Sequence, residues 1–151
     1  MSVSVRSVLP TIARTLLGLG FLVFGLNFFL HFLPPPAPPP ADALTFLGAL
    51  VTGKILTIVK LTEIAAGALL VVNRFPALAL ALLAPLEVGI FTFHAVFEPS
   101  GLGIIVALIA LTVYLAWSYR DAFAPMLRAR VEPAAATALS GTRASSVAAR
   151  A

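Results

Sequence analysis

The chain has 151 residues, 60% of them apolar and only 11% charged, with a mean hydropathy of +1.05. A soluble domain carries about 25% charged residues, so this composition excludes a water-clothed globule and points to a membrane protein. The net charge of +4 is no sign of nucleic acid, because the arginines flank apolar segments and form no basic stripe. Cysteine is absent, which excludes disulfides, thiolate metal sites and a dithiol relay within the chain.

Residues 1–10 read as a short cytoplasmic N-terminus. The first apolar segment runs from about Thr11 to Leu33. A secretory signal peptide is the rival reading, but the stretch is too long, carries Asn27 and His31, and ends in prolines instead of small residues. PPPAPPP over 34–40 cannot continue a helix and favours an extended connection. Ala41–Gly53 follows, with Asp42 near a helix start and Leu44, Leu47 and Val51 at helical spacing. Joined to the next span it would make ~45 Å of helix, so a short helix at the outer interface is expected. A longer tilted helix is the alternative.

The second span covers about Ile55–Val72, the third Phe75–Phe97 and the fourth Leu102–Tyr119. Each is about 18 residues or longer, enough to cross the hydrocarbon. Asn73-Arg74-Phe75-Pro76 and Glu98-Pro99-Ser100-Gly101 read as tight turns. Short connections between successive spans predict an all-α, antiparallel up-down four-helix transmembrane bundle over residues 11–127. Residues 128–151 lack apolar content and read as a mobile cytoplasmic tail.

With four crossings, Arg6, Arg14, Arg74, Arg120, Arg128, Arg130, Arg143 and Arg150 share one side, against Lys54 on the other. That bias places both termini in the cytoplasm. Trp117 and Tyr119 would anchor the inner end of the fourth span.

Six polar side chains interrupt the spans: Asn27, His31, Lys60, Glu63, Glu87 and His94. A charge at mid-membrane costs roughly 2.5–3.5 kcal/mol on insertion scales, so such residues usually face the bundle interior and mark a site. At about 1.5 Å per residue all six fall in the outer half of the membrane. Pairs at i,i+4, i,i+3 and i,i+7 let each helix present its two on one face.

Lys60 and Glu63 can pair within their helix, a purely structural reading. Glu87 facing Lys60 would add a second carboxylate, and the Glu63/Glu87 pair would then hold an exchangeable proton. Asn27 and His31 can equally serve only the outer loops. Haem ligation by His31 and His94 is disfavoured by the phenylalanines crowding both, and zinc by the lack of ligand spacing. Gly18, Gly20, Gly25 and Gly67 suit close helix packing, and Pro85 a kink beside Glu87.

FGLNFFLHFLP (24–34), the I-V-K-L-T-E core at 58–63, the run onward through Asn73-Arg74 to His94, and LAWSYRDAFAPML (115–127) together resemble the DoxX family. The resemblance covers about residues 11–127. It implies a four-helix fold in the bacterial cell (inner) membrane and association with membrane oxidoreductases. The expected function is a redox-associated subunit whose outer-half cavity takes a quinone-like or other small apolar ligand. Electrons would come from a partner, since the glycines form no flavin or nicotinamide motif. A non-catalytic assembly or stabilising factor is the alternative. A proton-linked transporter is less supported, since repeats and broken half-helix pairs are not evident. Expected partners are the bilayer and an oxidoreductase, with no nucleic acid; homo-oligomerisation stays open.

Overall fold

Uninterrupted runs of Leu, Ala, Ile and Phe become helices, and the chain turns at residues held in the left-handed conformation. The computed structural model describes residues 5–35 and 38–130, with no strand among them. In chain order the helices are α1 (Val5–Leu30), α2 (Ala41–Thr52), α3 (Ile55–Val71), α4 (Pro76–Val96) and α5 (Leu102–Ser118). A 3-10 turn, Pro99–Gly101, joins α4 to α5. A short α6 (Arg120–Phe123) and a 3-10 turn (Ala124–Leu127) follow. Contacts divide the chain into two units, residues 1–120 and 121–151. The tail expected from residue 128 lies outside the described residues from 131 onward.

Three stretches, Val8–Leu30, Pro76–Val96 and Pro99–Ser118, are long and apolar enough to cross a membrane. The helices α2 and α3 form a fourth candidate only as a pair, bent by 80° at their junction. Leu16, Val88, Val106 and Val113 lie exposed on these helices, an exterior that lipid tolerates and water does not. The chain is a membrane protein.

The helix starting at Val5 takes in residues expected to precede the span. Pro10 does not stop it, because so near the start its missing N–H orphans a single carbonyl. At the other end α1 stops at Leu30 instead of Leu33, since His31 is left-handed with φ 52°. The long tilted alternative for 41–72 is replaced by the bend. The left-handed residue there is Lys54 at φ 60°, while Gly53 keeps an ordinary φ of −75°. After α3, Asn73 is left-handed and the Arg74 N–H reaches the Leu69 carbonyl at 2.9 Å, a Schellman ending with asparagine in glycine's usual place.

The helices α1 and α3 pack most closely, because glycine lets their backbones meet. A Cβ on Gly25 would stand 2.7 Å from Ile64 Cγ1, and one on Gly18 2.9 Å from Leu70 Cβ. The end of α1 thus meets the start of α3 and the reverse, so the two run in opposite directions. Between them Leu17 and Leu70 are fully buried. Helix α2 docks through Phe46, whose ring stacks on Phe93 of α4 and on Phe97 just past its end, at 6.1 and 5.4 Å. That stack and the bend at Lys54 place α2 across the end of α4 that carries His94.

Candidate functional site

Lys60 and Glu63 sit one turn apart on α3 and pair directly. The Lys60 Nζ donates to both carboxylate oxygens, at 2.9 and 2.8 Å. Glu63 is 1% exposed and Lys60 20%, so the carboxylate is sheltered and the ammonium edges into open space. Ala66 and Leu70, both fully buried, lie along the same inward face of α3.

His94 lies in the last turn of α4, where the chain enters the 3-10 turn. Its Nδ1 is 3.0 Å from the Glu98 carbonyl oxygen. A carbonyl can only accept, so Nδ1 carries a proton in this bond, and in the neutral ring Nε2 is then the acceptor. The Glu98 carboxylate stands 3.8 Å from the same nitrogen and accepts the Ser100 hydroxyl at 3.0 Å. Gly101 makes room for this arrangement: a Cβ there would fall onto the imidazole.

These groups converge on one cavity of about 360 Å³. Lys60, Glu63, His94 and Glu98 supply its polar groups, while Phe24 of α1 and Ile105 and Leu108 of α5 supply apolar wall. A mostly apolar chamber with a few placed polar groups suits a small ligand bearing one or two oxygens. Lys60 would donate to such an oxygen, and the acceptor nitrogen of His94 would take a hydroxyl. Among the described residues no group of three or more His, Asp or Glu is placed to hold a metal ion.

Three of the six residues singled out in the sequence therefore meet here: Lys60, Glu63 and His94. Glu87 does not join them as expected. It is buried, but its Oε1 accepts the Thr112 hydroxyl of α5 at 2.6 Å, and it is absent from the cavity lining. The expected Glu63–Lys60–Glu87 triad is thus divided: Glu63 keeps Lys60 within α3, and Glu87 bonds across to α5. Asn27 serves the end of its own helix, its Oδ1 accepting the Leu33 N–H at 2.8 Å. His31 is exposed at the left-handed turn. Neither lines the cavity.

Three participants were missed. Glu98 reads as a turn residue, although its i,i+4 spacing from His94 was visible. Thr112 is one hydroxyl in an apolar run. Arg14 reads as a flanking charge, yet it is 6% exposed and its Nη1 donates to the Leu70 and Val71 carbonyls at the end of α3. Its signal was the spacing to Gly18, one turn on along the same face.

No protein-family model, curated protein or solved structure matches this chain.

Proposed function

We propose that the chain is a DoxX-like protein of the bacterial inner membrane that binds a quinone-like or other small apolar ligand, as a subunit of a membrane oxidoreductase. In this reading α1, the bent α2–α3 pair, α4 and α5 make four antiparallel crossings with both termini cytoplasmic. The arginine asymmetry supports that orientation. The observation that carries the ligand reading is the convergence of Lys60, Glu63, His94 and Glu98 on one apolar-walled cavity. Lys60 and His94 would bind the ligand oxygens, and the carboxylates would exchange protons with them. A partner supplies the electrons.

The test is purification in mild detergent followed by native mass spectrometry and solvent extraction. A retained quinone or similar small lipid is expected, and its loss from folded Lys60→Met. Folded wild-type protein that carries no such molecule and takes none up from added quinone would overturn the reading.

One observation favours an assembly or stabilising factor instead. Among the described residues, every fully buried side-chain nitrogen and oxygen already has a partner. In that reading partner proteins co-purify, and Lys60→Met leaves their association intact.

A further inference from the structure

A second cavity, of about 460 Å³, lies between α2, α3 and α4. Lys60, Ile90 and His94 line both cavities, so the two chambers share a wall. Their chemistry differs. The first adds Glu63 and Glu98 to the shared pair, whereas Phe46, Leu56 and Gly89 give the second an apolar lining. Helix α2, bent by 80° from α3 and held by its Phe46 stack, lines one side of the second chamber. Both cavities are mostly apolar, but carboxylates border only the first, and two adjoining spaces of this kind suit one amphiphilic molecule.

We infer that the ligand is a tailed lipid, its oxygen-bearing head in the first chamber and its hydrocarbon tail passing Lys60 and His94 into the second. This rests on the ligand reading proposed above and adds the substrate class. The tail gains little hydrophobic energy there, because it leaves bilayer that is already apolar. The second chamber acts by giving the tail somewhere to lie while the head is held. Blocking it therefore excludes a tailed molecule and spares a tailless one.

Gly89 makes the experiment clean. It lies exposed on the wall of the second chamber, and a Cβ built there meets no heavy atom within 4 Å, so the side chain of Gly89→Phe starts from open space at that wall. Gly48→Phe adds the same ring off the chamber lining, at a site equally free of contacts. The probes are 2,3-dimethoxy-5-methyl-1,4-benzoquinone and its 6-decyl homologue, bound to protein in nanodiscs and compared at equal concentration in the bilayer. Wild type and Gly48→Phe are expected to bind both compounds within about threefold of each other. Gly89→Phe should weaken the decyl compound by about tenfold or more and leave the tailless one unchanged. A thermal unfolding scan of each variant confirms that the fold is kept. Folded Gly89→Phe binding both compounds like wild type, or weakening both alike, would overturn the two-chamber assignment alone. Wild type binding neither compound would instead sink the quinone reading beneath it.

Discussion

Gly18 of α1 and Gly67 of α3 meet backbone to backbone: a Cβ on Gly67 would stand 2.7 Å from the Gly18 carbonyl oxygen, and one on Gly18 2.8 Å from that of Gly67. Neither neighbour is a flexible side chain tip, so the helices themselves must part to admit a methyl group. Where lipid replaces water, helix association relies on such close approach and not on hydrophobic burial. Gly67→Ala is therefore expected to destabilise the fold by about 1–3 kcal/mol through overpacking. Gly103→Ala, where the added carbon meets nothing within 4 Å, should be neutral or raise stability by up to about 1 kcal/mol. Thermal unfolding midpoints in one detergent compare the two, and equal shifts would mean that the α1–α3 seam is not as tight as described.

Arg14 is the other tie across that seam. A helix end leaves carbonyls without intrahelical donors, and the arginine supplies donors to two of them, at the negative end of the α3 dipole. Removing it takes the side-chain donor from both oxygens and leaves the Leu70 carbonyl with the Asn73 N–H alone. Arg14→Met should cost about 1–3 kcal/mol. Arg14→Lys should recover part of that, since an ammonium can donate but lacks the planar fork. Denaturation of the two variants side by side reads the difference, and wild-type stability in the methionine variant would refute the capping role.

What the sequence made legible was length and interruption. The bounds of α3, α4 and α5 fall close to expectation, because prolines, a left-handed asparagine and a short turn end each run. The site was only half legible, for a geometric reason. A stripe such as Glu87 and His94 faces the interior, but an interior helix has neighbours on two sides. Spacing places both residues inward and does not say that one meets Thr112 of α5 while the other borders Lys60 of α3. His31 was misplaced by the left-handed φ it adopts, and Asn27 by the bond it accepts from the Leu33 N–H, neither of which spacing encodes. Glu98 was overlooked because a carboxylate in a Pro-Ser-Gly turn looks like a solvent-facing residue.

Gly101 fixes the imidazole in place. The 3-10 turn passes so near His94 that only a residue without a side chain fits beneath the ring. Gly101→Ala should push the ring off the Glu98 carbonyl and scramble the tautomer that presents Nε2 to the cavity. Ligand affinity is then expected to fall by about tenfold, with little change in unfolding temperature. His94→Ala should fall by a similar factor, and the double variant should fall no further, since both act through one ring. Additive losses in this cycle would show that the glycine serves the turn and not the histidine. Nitrogen-15 shifts of the imidazole report the tautomer directly.

Glu63 and Glu87 are both buried carboxylates, yet they should respond in opposite ways to neutralisation. Glu63 holds the Lys60 ammonium, and removing one partner of a buried ion pair leaves the other charge uncompensated, at a cost of about 3–5 kcal/mol. Lys60→Met, which leaves the sheltered carboxylate alone, should approach that loss, and Glu63→Leu should cost less because the ammonium reaches open space. The double variant should recover much of it, because a well-packed apolar pair needs no counter-charge. Glu87 instead accepts from the Thr112 hydroxyl, a bond that a glutamine carbonyl oxygen can also accept. Glu87→Gln should therefore shift stability by no more than about 1 kcal/mol and keep the ligand bound. Unfolding in a common detergent supplies the cycle, and ligand retention supplies the second readout. Loss of ligand from folded Glu87→Gln would mean that this carboxylate reaches the first chamber after all. The separation of the two acids, Glu63 with Lys60 and Glu87 with Thr112, would then have to be abandoned.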